Sequence, residues 1–289
     1  MITKTIPISK EAVLDLYIQD PAVSFQTYTK RPALIICPGG AYLIHATKEG
    51  EPVALNFLAR GFHTFVLKYT VATDRLHPEK GVNVKLRYPA PSIELMEAIH
   101  LICEHADEWF IDSDAIFLAG FSAGAHVAGT VGYRWNDPEL VSQLSFTPQG
   151  NELKPAGLVL GYPMVADNPG NFSCSAASSN IELVNQVLYG TQNPSLEQIE
   201  SVKLKNYVQP QSAVPTFIWH SVDDSVVSPD LSLELAQTLM HNQINCEYHL
   251  FSHGGHGLGL ANEDPALRVW PYLAEIWMKS LEKNNEYDS

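Results

Sequence analysis

The chain is short of charge. Only 17% of its 289 residues are Asp, Glu, Lys or Arg, where about a quarter is usual in soluble domains. Basic residues are the scarcer sign: 18 against 32 acidic ones, a formal charge of −14. No Lys/Arg run and no basic helical stripe offsets this, so neither nucleic acid nor an anionic membrane surface is an expected partner. Cysteine is scarce as well. Cys37, Cys103, Cys174 and Cys246 lie far apart with no C-x-x-C pair, which argues against a structural zinc site and against a disulfide framework. No apolar run reaches the roughly 18 residues of a spanning helix. The first ten residues lack the apolar stretch of a signal peptide, so a cytoplasmic protein with reduced thiols is expected. There are no repeats, low-complexity tracts or linkers, and a single domain over 1–289 is the expectation.

What is present is a rhythm. Short apolar runs at 33–37, 62–69, 115–119, 157–160, 215–220 and 246–251 read as strands, with an alternating half-buried strand before them at 14–18. Helical spacing appears between them, over 52–60, 92–110, 123–135, 229–241 and 265–283. Near-continuous apolar strands alternating with helices predict an α/β fold whose mostly parallel sheet is covered on both faces. Two segments break the rhythm: a long loop at 70–90, and an excursion at 162–212 that is Asn/Ser/Gly-rich over 167–180 and is expected to cross the sheet's C-terminal edge.

Three places carry chemistry. Gly120-Phe121-Ser122-Ala123-Gly124 follows a strand and opens a helix. A serine on such a turn is forced out above the sheet, with glycines letting the backbone pack closely. The bland alternative is a Gly-rich turn with Ser122 as helix N-cap. A serine nucleophile needs a base, and the base needs an orienting acid, each on a loop after a later strand. The strand at 215–220 runs into Asp223 and Asp224; the strand at 246–251 runs into His253 and His256. Spacing does not choose within either pair. One of the two acids is expected to cap the helix near Pro229 instead. Third, Pro38-Gly39-Gly40-Ala41-Tyr42 follows an early strand, where small residues let backbone N–H groups approach a developing oxyanion. Ala123, directly after the serine, is the expected second source of such a donor.

Together these stretches make the chain resemble bacterial α/β-hydrolase-fold esterases and lipases, near the acetyl-xylan-esterase-like carboxylesterases. The matching segments are Cys37-Pro38-Gly39-Gly40-Ala41-Tyr42, Glu49-Gly50-Glu51-Pro52-Val53-Ala54, Phe65-Val66-Leu67-Lys68-Tyr69, Gly120-Phe121-Ser122-Ala123-Gly124, Ile218-Trp219-His220-Ser221-Val222-Asp223-Asp224 and Gly254-Gly255-His256-Gly257-Leu258-Gly259. The resemblance implies a choice within each pair: the acid four residues after His220 is Asp224, and the base in Gly-Gly-His-Gly is His256. It also implies oxyanion donors at Gly40, Ala41 and Ala123, although Pro38 and Ala41 depart from the His-Gly-Gly-Gly form of the wider lipase group.

The expectation is therefore a serine esterase acting on short-acyl esters, acetylated sugars or xylo-oligosaccharides among them. It needs no cofactor and no metal. Its partner is a small-molecule ester, and self-association into a homo-oligomer is compatible with the sequence. Tyr42, His45, Phe121 and Tyr162 are candidate pocket residues, with Met164 and the 70–90 loop beside them. Two rival readings are a prolyl-oligopeptidase-like peptidase, which normally needs a further gating domain, and a non-catalytic hydrolase-fold binding protein, which normally lacks a triad member.

Overall fold

The computed structural model describes residues 1–20, 30–73, 81–165 and 181–285. Eight strands form one sheet: β1 (Ile2–Pro7), β2 (Val13–Ile18), β3 (Arg31–Cys37), β4 (His63–Lys68), β5 (Ile111–Phe121), β6 (Gly157–Gly161), β7 (Thr216–Ser221) and β8 (Cys246–Phe251). Their order across the sheet is β1-β2-β4-β3-β5-β6-β7-β8. The pairs from β4 to β8 are all parallel, and β2 joins antiparallel to both β1 and β4. This is the α/β-hydrolase arrangement of a mostly parallel sheet with flanking helices.

The strand sequences explain the layering. Side chains alternate across a strand, so a strand apolar at every position packs on both faces. In β3, Ala33, Ile35 and Cys37 enter one core, with Leu118, Leu160 and Ile218 from neighbouring strands. Leu34 and Ile36 enter the other, with Phe117, Val159, Phe217 and Trp219. The first core is closed by α2 (Ala90–Glu104), α3 (Ala123–Arg134) and the helix Pro229–His241. The second is closed by α1 (Glu51–Leu58) and the C-terminal helix Trp270–Asn285, where Trp270 stacks on Trp219 with centroids 5.0 Å apart.

The structure departs from the sequence expectations at several places. β1 was not expected: its side chains are almost all exposed, and only its backbone pairing with β2 marks it as a strand. The expected helix over 92–110 begins at Ala90 and stops at Glu104; Phe110 takes φ 56°, and Trp109 stacks on His105 where the chain turns away. The last helix starts at Trp270, preceded by a short 3-10 turn, Leu267–Val269. Within the excursion at 162–212, helices Ile181–Tyr189 and Leu196–Glu200 and the 3-10 turn Leu204–Tyr207 are described. This part lies along α3: Leu204 sits where a Cβ on Gly129 would be, and Trp135 Nε1 donates to the Ser212 carbonyl at 2.9 Å. The Asn/Ser/Gly-rich stretch with Cys174, and residues 74–80 of the long loop, lie outside the described residues. The other three cysteines are free. No described helix is long and apolar enough to cross a membrane.

The connections place a crevice. From β3 the chain moves outward through α1 to β4, then returns through α2 to β5 on the other side of β3. Loops leaving the C-terminal ends of β3 and β5 therefore diverge, which is where open α/β sheets hold ligands.

Candidate active site

Ser122 stands at the tip of β5, at φ 50° and ψ −118°. This conformation is strained for a residue with a Cβ. It is held by its backbone: Ser122 N–H donates to the Gly161 carbonyl at 3.1 Å, and its carbonyl accepts from Met164 N–H at 3.1 Å. The flanking glycines are there for room. A Cβ on Gly120 would lie 2.6 Å from Ala125 Cα, and one on Gly124 would lie 2.0 Å from the Cys37 carbonyl oxygen. Ser122 occupies the N-cap position of α3, but its side chain makes no capping bond. Its Oγ instead lies 2.9 Å from His256 Nε2.

His256 Nδ1 lies 2.7 Å from Asp224 Oδ2. A carboxylate only accepts, so Nδ1 carries the proton and Nε2 is left to accept from the serine hydroxyl. Asp224 is bound by more than one imidazole. His220 Nε2 also donates to Oδ2 at 2.9 Å, and the N–H groups of Val226 and Val227 donate to Oδ1 at 2.8 and 3.0 Å. Burial alone would raise this carboxyl; the hydrogen bonds from His220 and His256 outweigh it and hold Asp224 well below the usual carboxylate range. His220 is itself fully buried, with Nδ1 2.8 Å from Ser232 Oγ.

The competing residues go elsewhere. Asp223 is exposed and accepts from Gly255 N–H at 2.8 Å, tying the acid loop to the histidine loop. His253 is exposed and pairs with Asp264 at 2.7 Å. Neither acid caps the helix at Pro229; Ser228 does so, accepting from Asp230 N–H.

Beside Ser122 lies the turn after β3. Gly40, Ala41 and Tyr42 all take positive φ (126°, 57° and 62°), a tight left-handed turn closed by the Leu43 and Ile44 N–H groups, which both donate to the Gly40 carbonyl. Among the described residues, the N–H groups of Gly40, Ala41 and Ala123 meet no acceptor. Gly39 packs directly on the serine: a Cβ there would lie 2.9 Å from Ser122 Cβ.

Three of the four candidate pocket residues are not lining residues. Tyr42, Phe121 and Tyr162 are 0% exposed. Tyr42 is an anchor: its hydroxyl lies 2.7 Å from His126 Nδ1, while His126 Nε2 lies 2.7 Å from the Val202 carbonyl. A carbonyl only accepts, so His126 donates through Nε2 and takes the tyrosine proton at Nδ1. Burial pushes His126 down to about 4, keeping it neutral for that role. The Tyr162 hydroxyl donates to Glu49, and Phe121 packs against Trp270. His45 alone of the four keeps surface, with Nε2 2.8 Å from the Tyr69 carbonyl. Met164 is buried too.

Glu49 and His220 were not among the expected site residues, although both fall in segments that carried the resemblance. His220 carried a signal, a histidine directly after the apolar run Phe217-Ile218-Trp219 in a strand whose six residues are all buried. Glu49 carried none, since Lys48 and Glu51 beside it make it look like part of a solvated charged turn.

The comparisons with known proteins agree with the fold. Residues 14–239 match the BD-FAE family. A carboxylesterase from Lactobacillus plantarum is 31% identical, with 96% of each chain covered and a TM-score of 0.77. An acetyl ester-xyloside bifunctional hydrolase from Caldicellulosiruptor lactoaceticus is 29% identical, again over 96% of each chain, with a TM-score of 0.74. Among curated sequences, endo-1,4-beta-xylanase B of Butyrivibrio fibrisolvens is 29% identical over 81% of this chain and 34% of its own length. The chain spans about a third of the length of the curated relatives it matches. With its eight-stranded sheet and the match over most of its length, the chain belongs to the BD-FAE family, among the carboxylesterases of the α/β-hydrolase fold.

Proposed function

We infer that the protein is a serine esterase that removes short acyl groups, acetyl above all, from a small sugar-like alcohol. The observation that carries this is the unbroken hydrogen-bonded line from Ser122 Oγ through His256 to Asp224, beside a turn of unengaged N–H groups. Ser122 attacks the ester carbonyl as His256 Nε2 takes its proton. Gly40, Ala41 and Ala123 offer their N–H groups to the oxyanion, a contribution worth about 3 kcal/mol for a single donor in comparable sites. The imidazolium returns the proton to the departing alcohol, and water then frees the acyl group by the same steps. Asp224 keeps the proton on Nδ1 and stabilises the charged ring.

The acetyl and sugar parts of the reading lean on two relatives, one named as an acetyl ester-xyloside hydrolase and one as a xylanase. Hydrolysis of p-nitrophenyl acetate tests the reaction. Activity in the wild type that falls by several orders of magnitude in Ser122→Ala is expected, and an unchanged rate would refute the mechanism. A panel of acetylated xylo-oligosaccharides against butyryl and longer p-nitrophenyl esters tests the substrate class; a preference for the longer acyl chains would overturn it.

A further inference from the structure

Glu49 is 1% exposed and has no part in the reaction above. It ends the 3-10 turn Thr47–Glu49 just before α1. Its two oxygens accept from opposite directions: Oε2 from Gly39 N–H at 2.7 Å, and Oε1 from the Tyr162 hydroxyl at 2.7 Å. The Tyr162 oxygen in turn accepts from Gly259 N–H at 3.0 Å. Gly39 opens the turn that carries the Gly40 and Ala41 donors, and Gly259 lies three residues beyond His256. One buried carboxylate thus links the oxyanion turn to the loop of the general base.

The packing around this link is close. A Cβ on Gly39 would lie 2.7 Å from Glu49 Oε2, and one on Gly259 would lie 2.6 Å from the Lys48 carbonyl oxygen. The Tyr162 ring stands edge-on to His256, with centroids 4.9 Å apart. Gly259 is held from its other side by Trp270 Nε1, which donates to its carbonyl at 3.0 Å. The chemistry of the link is specific. An N–H arrives at one end and an O–H at the other, so the group between them must accept at both oxygens. A carboxylate does so; a carboxamide of the same shape turns an NH2 toward one of the two donors. Burial pushes the Glu49 carboxyl above its ordinary value, against the hydrogen bonds from Tyr162 and Gly39. A buried carboxylate therefore sits here at some cost to the fold.

We propose that Glu49 is a positioning residue: through Gly39 and Tyr162 it fixes the oxyanion turn and the His256 loop relative to each other, so that both halves of the site stay in register. The proposal rests on the serine esterase reading. The link does its work only where both halves act on the same tetrahedral intermediate, so its loss is felt in turnover and not in substrate capture.

Steady-state kinetics on p-nitrophenyl acetate test this with Glu49→Gln, Tyr162→Phe and the double variant. Glu49→Gln is expected to lower kcat on the order of 100-fold with KM unchanged, the scale of a misplaced catalytic group. Tyr162→Phe lowers kcat by less, because Glu49 keeps its bond to Gly39. The double variant is no slower than Glu49→Gln alone, because both substitutions cut one chain. A retained kcat in a folded Glu49→Gln protein, a rise in KM with kcat unchanged, or fully additive losses would each overturn the proposal. Should Glu49→Gln fail to fold, an unchanged kcat in Tyr162→Phe overturns it by itself. An inactive wild type removes the esterase reading, and the proposal with it. An active wild type with unaffected variants removes only the role of Glu49.

Discussion

Two histidine–carboxylate pairs stand within a few residues of each other, His256 with Asp224 and His253 with Asp264, each 2.7 Å apart. Distance does not distinguish them. The His256 side chain is 15% exposed and that of Asp224 is 0%; the His253 and Asp264 side chains are 56% and 26% exposed. Asp224 has each oxygen held by two donors, and the far nitrogen of its histidine faces a serine. The far nitrogen of His253 faces Ser252, its own neighbour in the chain, at 3.1 Å. A histidine–carboxylate contact becomes a catalytic unit when it is kept from water, held in one tautomer and aimed at a nucleophile. Without those conditions it is a solvated surface contact, which contributes little.

Three experiments press on this contrast. Asp224→Asn should produce the largest effect, a fall in kcat of about 10⁴-fold, because an amide can hold His256 in the wrong tautomer while preserving shape. Kinetics on p-nitrophenyl acetate decide it, and a loss of tenfold or less would mean that Asp224 does not orient the base. The next effect is on stability. The carboxyl of Asp224 is depressed in the folded state, so its stabilisation is complete above the ordinary carboxylate range and is lost as pH falls toward the depressed value. Urea midpoints should therefore fall more steeply below about pH 4 in the wild type than in Asp224→Asn. Parallel acid profiles would show that the hydrogen bonds around Asp224 stabilise nothing. The smallest effect is expected at the other pair: His253→Ala should leave both kcat and the thermal midpoint unchanged, and a marked drop in kcat would erase the distinction.

The sequence made legible what depends on burial patterns. β3, β6 and β7 could be read because each holds a run of consecutive apolar residues that face a core on one side or the other. β1 could not, because its side chains carry no such record and its place comes from backbone pairing alone. For the site, the strand ends narrowed acid and base to two pairs. The choice within each pair depends on which way a turn faces: Asp223 points to solvent and Asp224 inward, and adjacency in sequence hides that. The aromatic residues misled for a related reason. Tyr42 and Tyr162 resemble pocket residues in composition, but their hydroxyls are engaged with His126 and Glu49, partners 84 and 113 residues away in the chain. A satisfied buried tyrosine and an exposed one are the same letter.

The backbone at Ser122 sets activity against durability. Its φ of 50° and ψ of −118° would be unstrained for a glycine, whereas a residue with a Cβ is held there only because the surrounding strand and helix insist on it. The functional molecule is thus not the most stable one its fold allows. Ser122→Gly should be inactive and melt at a higher temperature than the wild type, and a lower melting point would show that the hydroxyl's bond to His256 outweighs the strain.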